Sequence, residues 1–179
     1  MKALVMAAIR PASALIAGLA FAGLVAGPAQ ADYPKSPDQA RTWGACPAVA
    51  ADSHSDKVVR DYNETANHAV LKCGNERWGY WHIYKRHVYD NPEWSNLADI
   101  EGVNWRQVVD MAIAKSLDQP DVSGQGPNGT WCYSGQIYLV NKATGQIAKT
   151  VEPTVIVAPD GRVVTAFPGG RCQHINPDD

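Results

Sequence analysis

TVIVAPDGRVVTAFP, residues 154–168, is the stretch whose reading decides the fold. Thr154–Val157 is rich in β-branched residues, which suit a pleated, half-buried strand. Pro159-Asp160-Gly161 then turns the chain, Pro by fixing φ and Gly by supplying a positive one. Arg162–Phe167 returns as a strand paired with the first. Just upstream, Gln136–Asn141 (QIYLVN) and Gln146–Val151 flank the turn Lys142-Ala143-Thr144-Gly145 and read as a second hairpin. Together these segments predict an antiparallel sheet of about four strands. Before them the period changes. Trp105, Val109, Ala112, Ile113 and Leu117 recur at helical spacing. Asn104 is placed to cap that helix, with Gln107 three residues on, and Pro120 ends it. The segment 121–129, with three glycines and a proline, is expected as a loop. Helices first and strands after predict an α+β fold, N-terminal helices packed on a C-terminal sheet.

Earlier segments are less decisive. A helix is expected around Asp56–Thr65, a short strand at His68–Lys72 and a turn at Cys73-Gly74-Asn75. Arg77–Tyr89 is aromatic-rich, with Trp78, Tyr80, Trp81, Tyr84 and Tyr89, and Asp90-Asn91-Pro92 breaks it. Residues 1–31 have the pattern of a secretory signal: Lys2 and Arg10, an apolar run rich in Ala, Leu and Gly, then Ala29-Gln30-Ala31. A polar arm at 32–48 and one domain at 49–179 are expected to follow, with secretion and no lasting membrane insertion. An exported chain with four cysteines (Cys46, Cys73, Cys132, Cys172) implies two disulfides. Three pairings are possible. Cys46–Cys73 with Cys132–Cys172 is favoured because each bridge closes a loop within its own part of the domain. Each such loop stabilises by about 3–4 kcal/mol in the chain-entropy description. A zinc site is disfavoured, because no two cysteines have C-x2–4-C spacing.

Charge narrows the function classes. The chain carries 16 Lys+Arg and 18 Asp+Glu. Without Lys2 and Arg10 the balance is 14 to 18, which argues against a strongly cationic nucleic-acid wrapper while allowing a local basic patch. No internal repeat, Gly-rich phosphate loop or G-x-S-x-G elbow is present.

The densest chemistry lies in Trp81-His82-Ile83-Tyr84-Lys85-Arg86-His87. Five steps of an α-helix place His82 and His87 about 140° apart, and a strand turns them to opposite sides. A segment that changes conformation midway, from strand to turn, can still bring both to one pocket. Cleavage of a phosphodiester by a ribose 2′-hydroxyl needs a base, an acid for the departing oxygen, and a cation for the phosphoryl oxygens. Histidine suits the first two roles and arginine the third. Tyr84 and neighbouring aromatics can stack bases, Lys85 offers a weaker phosphate contact, and Tyr138 lies on a strand that can face the same cleft. Thr165 can donate its hydroxyl to a phosphate oxygen. His54 reads as surface, His174 as tail, and His68 has only a weak case for a role.

The order of these features resembles the toxin and effector ribonucleases of the barnase–EndoU–RelE superfamily. The features are an HI-x-x-RH-like element at His82–His87, a helix with Val109, Ile113 and Leu117, and a closing strand Val163-Val164-Thr165-Ala166-Phe167-Pro168. The resemblance spans about residues 79–168. It implies metal-independent RNA cleavage that leaves a 2′,3′-cyclic phosphate, with no cofactor, and it allows a protein inhibitor of the immunity type as partner. Carried over, His82 is the base, His87 the acid, Arg86 the phosphate ligand and Thr165 a positioning group. Sequence does not decide which histidine is which. The closing strand has Phe167 where many members place Tyr. Two other classes remain open. One is a secreted binding module that uses the Trp/Tyr-rich segment 78–89. The other is a metal-dependent hydrolase built on His82, His87 and Asp90 or Glu93.

Overall fold

The computed structural model describes residues 43–47 and 50–173. The expected leader, the expected arm apart from residues 43–47, and His174 lie outside the described residues. The chain is a mixed helix-and-sheet fold closed by two disulfides, Cys46–Cys73 and Cys132–Cys172, the favoured pairing.

The expected helix at 56–65 is not formed. Val58–Asp61 (β1) pairs antiparallel with Val70–Lys72 (β2) across a bulge, and Tyr62 N–H continues the pairing onto the Ala69 carbonyl at 2.9 Å. The β-branched Val58 and Val59 suit that pleat. Thr65 closes the return by donating its hydroxyl to the Tyr62 carbonyl (2.8 Å). The turn after Cys73 requires glycine at both ends of Gly74–Gly79. Both residues have positive φ (60° and 78°), and a Cβ would sit 2.0 Å from the Trp78 carbonyl oxygen or 2.7 Å from that of Lys72.

Gly79–Tyr84 (α1) then runs into a π-helical turn, Lys85–Tyr89, in which Asp90 N–H reaches the Lys85 carbonyl five residues back (2.9 Å). After the Asn91-Pro92 break comes Glu93–Glu101 (α2), which was not expected. Its apolar residues Trp94, Leu97 and Ala98 are buried, and Gly102 ends it in the left-handed conformation. Trp105–Asp118 (α3) matches the expected helix. Arg106 N–H donates to Asn104 Oδ1 at 2.9 Å, and Asn104 N–H to Gln107 Oε1 at 3.1 Å.

The antiparallel sheet has four strands, but not the four foreseen. Its order is Val122–Gln125 (β3), Trp131–Ser134 (β4), Thr154–Val157 (β7), Val163–Phe167 (β8). The expected QIYLVN hairpin forms as Ile137–Asn141 (β5) and Gln146–Val151 (β6) and stands as a separate two-stranded sheet. β3 lies inside the segment expected to be a loop. Its Ser and Gly residues make a poor local strand, and pairing with β4 from Val122↔Ser134 to Gln125↔Trp131 forms it. α1 packs along β8, and α3 lies against β4, β7 and β8. The core between them contains Leu71, Ile83, Trp94, Val109, Ile113, Leu117, Leu139, Val155 and Val163. Among the described residues, no helix is long and apolar enough to cross a membrane.

Candidate functional site

β8 presents alternate residues to opposite faces. Thr165 and Phe167 share one of them, and α1 with its π turn passes over that face. The π turn overturns the angular objection to pairing His82 with His87. The wider π turn at Lys85–Tyr89 makes the residues after Tyr84 lag the α-helical rotation, which brings His87 round toward His82. The two imidazole centroids are 6.0 Å apart at 75°. The change between the histidines is from α-helix to π turn, not from strand to turn.

Each ring has a fixed Nδ1. His82 Nδ1 meets the Glu76 carbonyl at 2.8 Å, so that nitrogen carries the proton and leaves Nε2 free. His87 Nδ1 meets Glu93 Oε2 at 2.7 Å. Its Nε2 faces the Thr165 hydroxyl at 3.4 Å, and the ring stacks on Phe167 (5.4 Å, 23°). Glu93, at the first turn of α2, therefore ends a chain Glu93–His87–Thr165. The His87 side chain is 18% exposed and that of Glu93 45%. Thr165 is buried. Burial pushes the His87 pKa below its ordinary value. The Glu93 hydrogen bond and charge oppose this, and the nearby charges of His82 and Arg86 reinforce it.

The remaining sequence candidates divide. Arg86 is exposed beside His87 and has no ion pair among the described residues. Lys85 turns instead to Asp90 (3.5 Å) and the Tyr89 ring (5.2 Å). Tyr84 belongs to an aromatic cluster with Tyr80 and Trp105 on another face of α1. Tyr138 points outward from the separate β5–β6 hairpin, opposite Thr150. The cysteines are all bridged. Glu93 is committed to His87 and Asp90 to Lys85, and among the described residues no three His, Cys, Asp or Glu side chains are grouped to hold a metal ion.

Two elements escaped the sequence reading. Glu93 was considered only as a metal ligand. Its place on His87 follows from the turn at Asp90–Pro92, which folds the start of α2 back onto the π turn. The second is Asp110, a buried acid on α3. Its Oδ1 accepts from Trp43 Nε1 (3.0 Å), Arg60 Nε (3.3 Å) and the Tyr62 hydroxyl (2.9 Å). An acid three residues before Ile113 and seven before Leu117, on an apolar face, was the available signal.

Comparison with known proteins leaves this site without a precedent of stated function. No protein-family model matches the chain. Two Mycobacterium tuberculosis proteins, from strains CDC 1551 / Oshkosh and ATCC 25618 / H37Rv and each called an uncharacterized protein, are 32% identical to it over 149 residues. The match covers 75% of this chain and 52% of each relative, so the chain spans about half the length of the curated relatives it matches.

Proposed function

We propose that the protein is a secreted, metal-independent endoribonuclease that cleaves RNA through the 2′-hydroxyl and leaves a 2′,3′-cyclic phosphate. The observation that carries the reading is the pair His82 and His87, 6.0 Å apart over the β8 face that holds Thr165. Two imidazoles at this separation can serve the attacking and departing oxygens of one phosphodiester. The proposal keeps the finer layering inferred from sequence, helices preceding the sheet and packed on it as a ribonuclease-like unit. Export is supported by the signal-like sequence at 1–31 and by two disulfides.

The environment favours exchanging the roles first assigned. His87 is held toward its neutral form by burial and by its cationic neighbours, so its Nε2 is a ready acceptor for the 2′-hydroxyl proton. Glu93 fixes the tautomer that leaves Nε2 bare and stabilises the imidazolium once it forms. His82 keeps Nδ1–H on the Glu76 carbonyl, and in its protonated form delivers Nε2–H to the departing 5′-oxygen. Arg86 takes the phosphoryl oxygens in its planar fork. Thr165 redirects its hydroxyl hydrogen bond from His87 to a phosphate oxygen.

The test is cleavage of a structured RNA by oxidised protein lacking residues 1–31, in excess EDTA, beside His82→Ala. Cleavage that persists in EDTA, leaves a cyclic phosphate and falls by about 10²–10⁴-fold in the variant is expected. Equal product from both proteins, or none from either across several RNAs and from acid to neutral pH, overturns the reading.

A further inference from the structure

On the other side of α1 lies a cavity of about 340 Å³ lined by Gly44–Pro47, Tyr80, Trp81, Tyr84 and Arg106. Its size falls at the small end of ligand pockets. Tyr80 and Tyr84, four residues apart, face the same way with rings parallel within 4°. His82 lies between them in sequence and projects from the opposite side. Trp81 stands edge-on to both rings (5.5 and 5.6 Å). Arg106, exposed at the start of α3, lies 5.3 Å from the Tyr80 ring and donates to its hydroxyl at 2.6 Å. Among the described residues, no acidic one lines the cavity. The Cys46–Cys73 bridge holds the Gly44–Pro47 wall beside the strand that leads into α1. Trp81 Nε1 is buried without a hydrogen-bond partner among the described residues, an uncommon state for a buried donor.

Aromatic faces, a guanidinium and no carboxylate suit a ligand that is flat, aromatic and anionic. A neutral sugar is poorly served, because the lining offers no carboxylate or side-chain amide to bind its hydroxyls. A cation is repelled by Arg106. We propose that the cavity is a second nucleotide subsite, taking a base against Tyr84 and Trp81 and a phosphate on Arg106. It lies on the same RNA strand as the bond cut at His82 and His87. This rests on the ribonuclease reading above. A strand touching both places must cross α1, whose width with side chains is about 10–12 Å. The subsite therefore rewards long substrates and is out of reach of short ones.

The experiment compares kcat/KM for a ten-nucleotide RNA and for a dinucleotide, in the wild-type chain and in Arg106→Gln. Fluorescence polarisation of an all-2′-deoxy decanucleotide, which lacks the attacking hydroxyl, is measured in parallel. The wild type is expected to prefer the decanucleotide, and Arg106→Gln to lower the ratio of the two constants by about 10- to 100-fold. The deoxy strand should bind correspondingly weaker. Tyr84→Ala should do the same and Tyr84→Phe restore the preference, which separates loss of the ring from loss of the fold. An unchanged ratio in Arg106→Gln and Tyr84→Ala overturns the subsite while leaving the ribonuclease intact. If the wild type cuts neither RNA, the ribonuclease reading falls and the deoxy strand alone decides. Weaker binding by at least tenfold in Arg106→Gln supports the nucleotide pocket, and undiminished or absent binding overturns it.

Discussion

Asp110 and Glu93 each accept a ring N–H, and they are built for different ends. Asp110 is buried and gathers Trp43, Tyr62 and Arg60 onto one oxygen. Arg60 is tied in turn to Glu64. The network ties the segment at Trp43 and the β1 strand to α3, and it has no free end. Glu93 is half exposed and accepts from one group, His87, whose far nitrogen faces a hydroxyl rather than a second anchor. A closed network serves stability. An open chain that ends on an imidazole nitrogen is what the proposed proton transfer uses. Burial also pushes the Asp110 pKa up despite its three donors, so desolvation is a large cost there and its partners cannot be spared.

The largest effect should come from breaking the closed network. Asp110→Ala leaves the Arg60 Nε–H, the Trp43 indole N–H and the buried Tyr62 phenol without their acceptor, and is expected to lower unfolding stability by about 3–5 kcal/mol. Urea titration with unchanged slope and a lower midpoint is the result to look for. A loss of less than 1 kcal/mol would mean that water replaces the carboxylate and that the network is not what ties Trp43 to α3.

Glu93→Gln should reverse the pattern. Its side chain is 45% exposed and its removal strands nothing, so the urea midpoint should hardly move. Cleavage should fall by about 10–100-fold, through kcat rather than KM, because the tautomer of His87 and the stability of its imidazolium are lost together. A fall in stability without a fall in kcat would put Glu93 in the same class as Asp110.

The sequence made the stabilising parts easier to read than the reactive ones. α3 announces itself through a cap, an apolar stripe and a stop, all between Asn104 and Pro120. The β7–β8 and β5–β6 hairpins do so through their turns. Sheet membership is different: β4 pairs with β7 more than twenty residues away, and nothing local says that β5 is excluded. β3 is strand only because β4 lies beside it. At the site, residue types and neighbourhood were legible in His82–His87 and Thr165. Their meeting was not, because α and π turns draw on the same residues and the difference is one carbonyl's choice of partner. Glu93 was hidden for a related reason. A helix break at Asn91-Pro92 separates it from His87 in any pattern, while the folded backbone brings the two together.

The smallest effect is the one that reports on the site without requiring turnover. His87 is held below the ordinary histidine value of 6.5, burial being the main cause. The unfolded chain therefore binds its proton more readily than the folded one. Stability rises with pH wherever the unfolded state holds more protons, so the contribution of neutral His87 is fully present above about pH 6.5 and is lost as pH falls toward the folded-state value. The urea midpoint of the wild type should drop between pH 7.5 and 5 by more than that of His87→Gln. Identical drops would mean that Glu93 fully offsets burial. The same measurement on Glu93→Gln sharpens the contrast between the two carboxylates. Removing the group that raises the His87 pKa leaves burial and the neighbouring cations unopposed, so the acid-induced drop should become steeper and extend to lower pH.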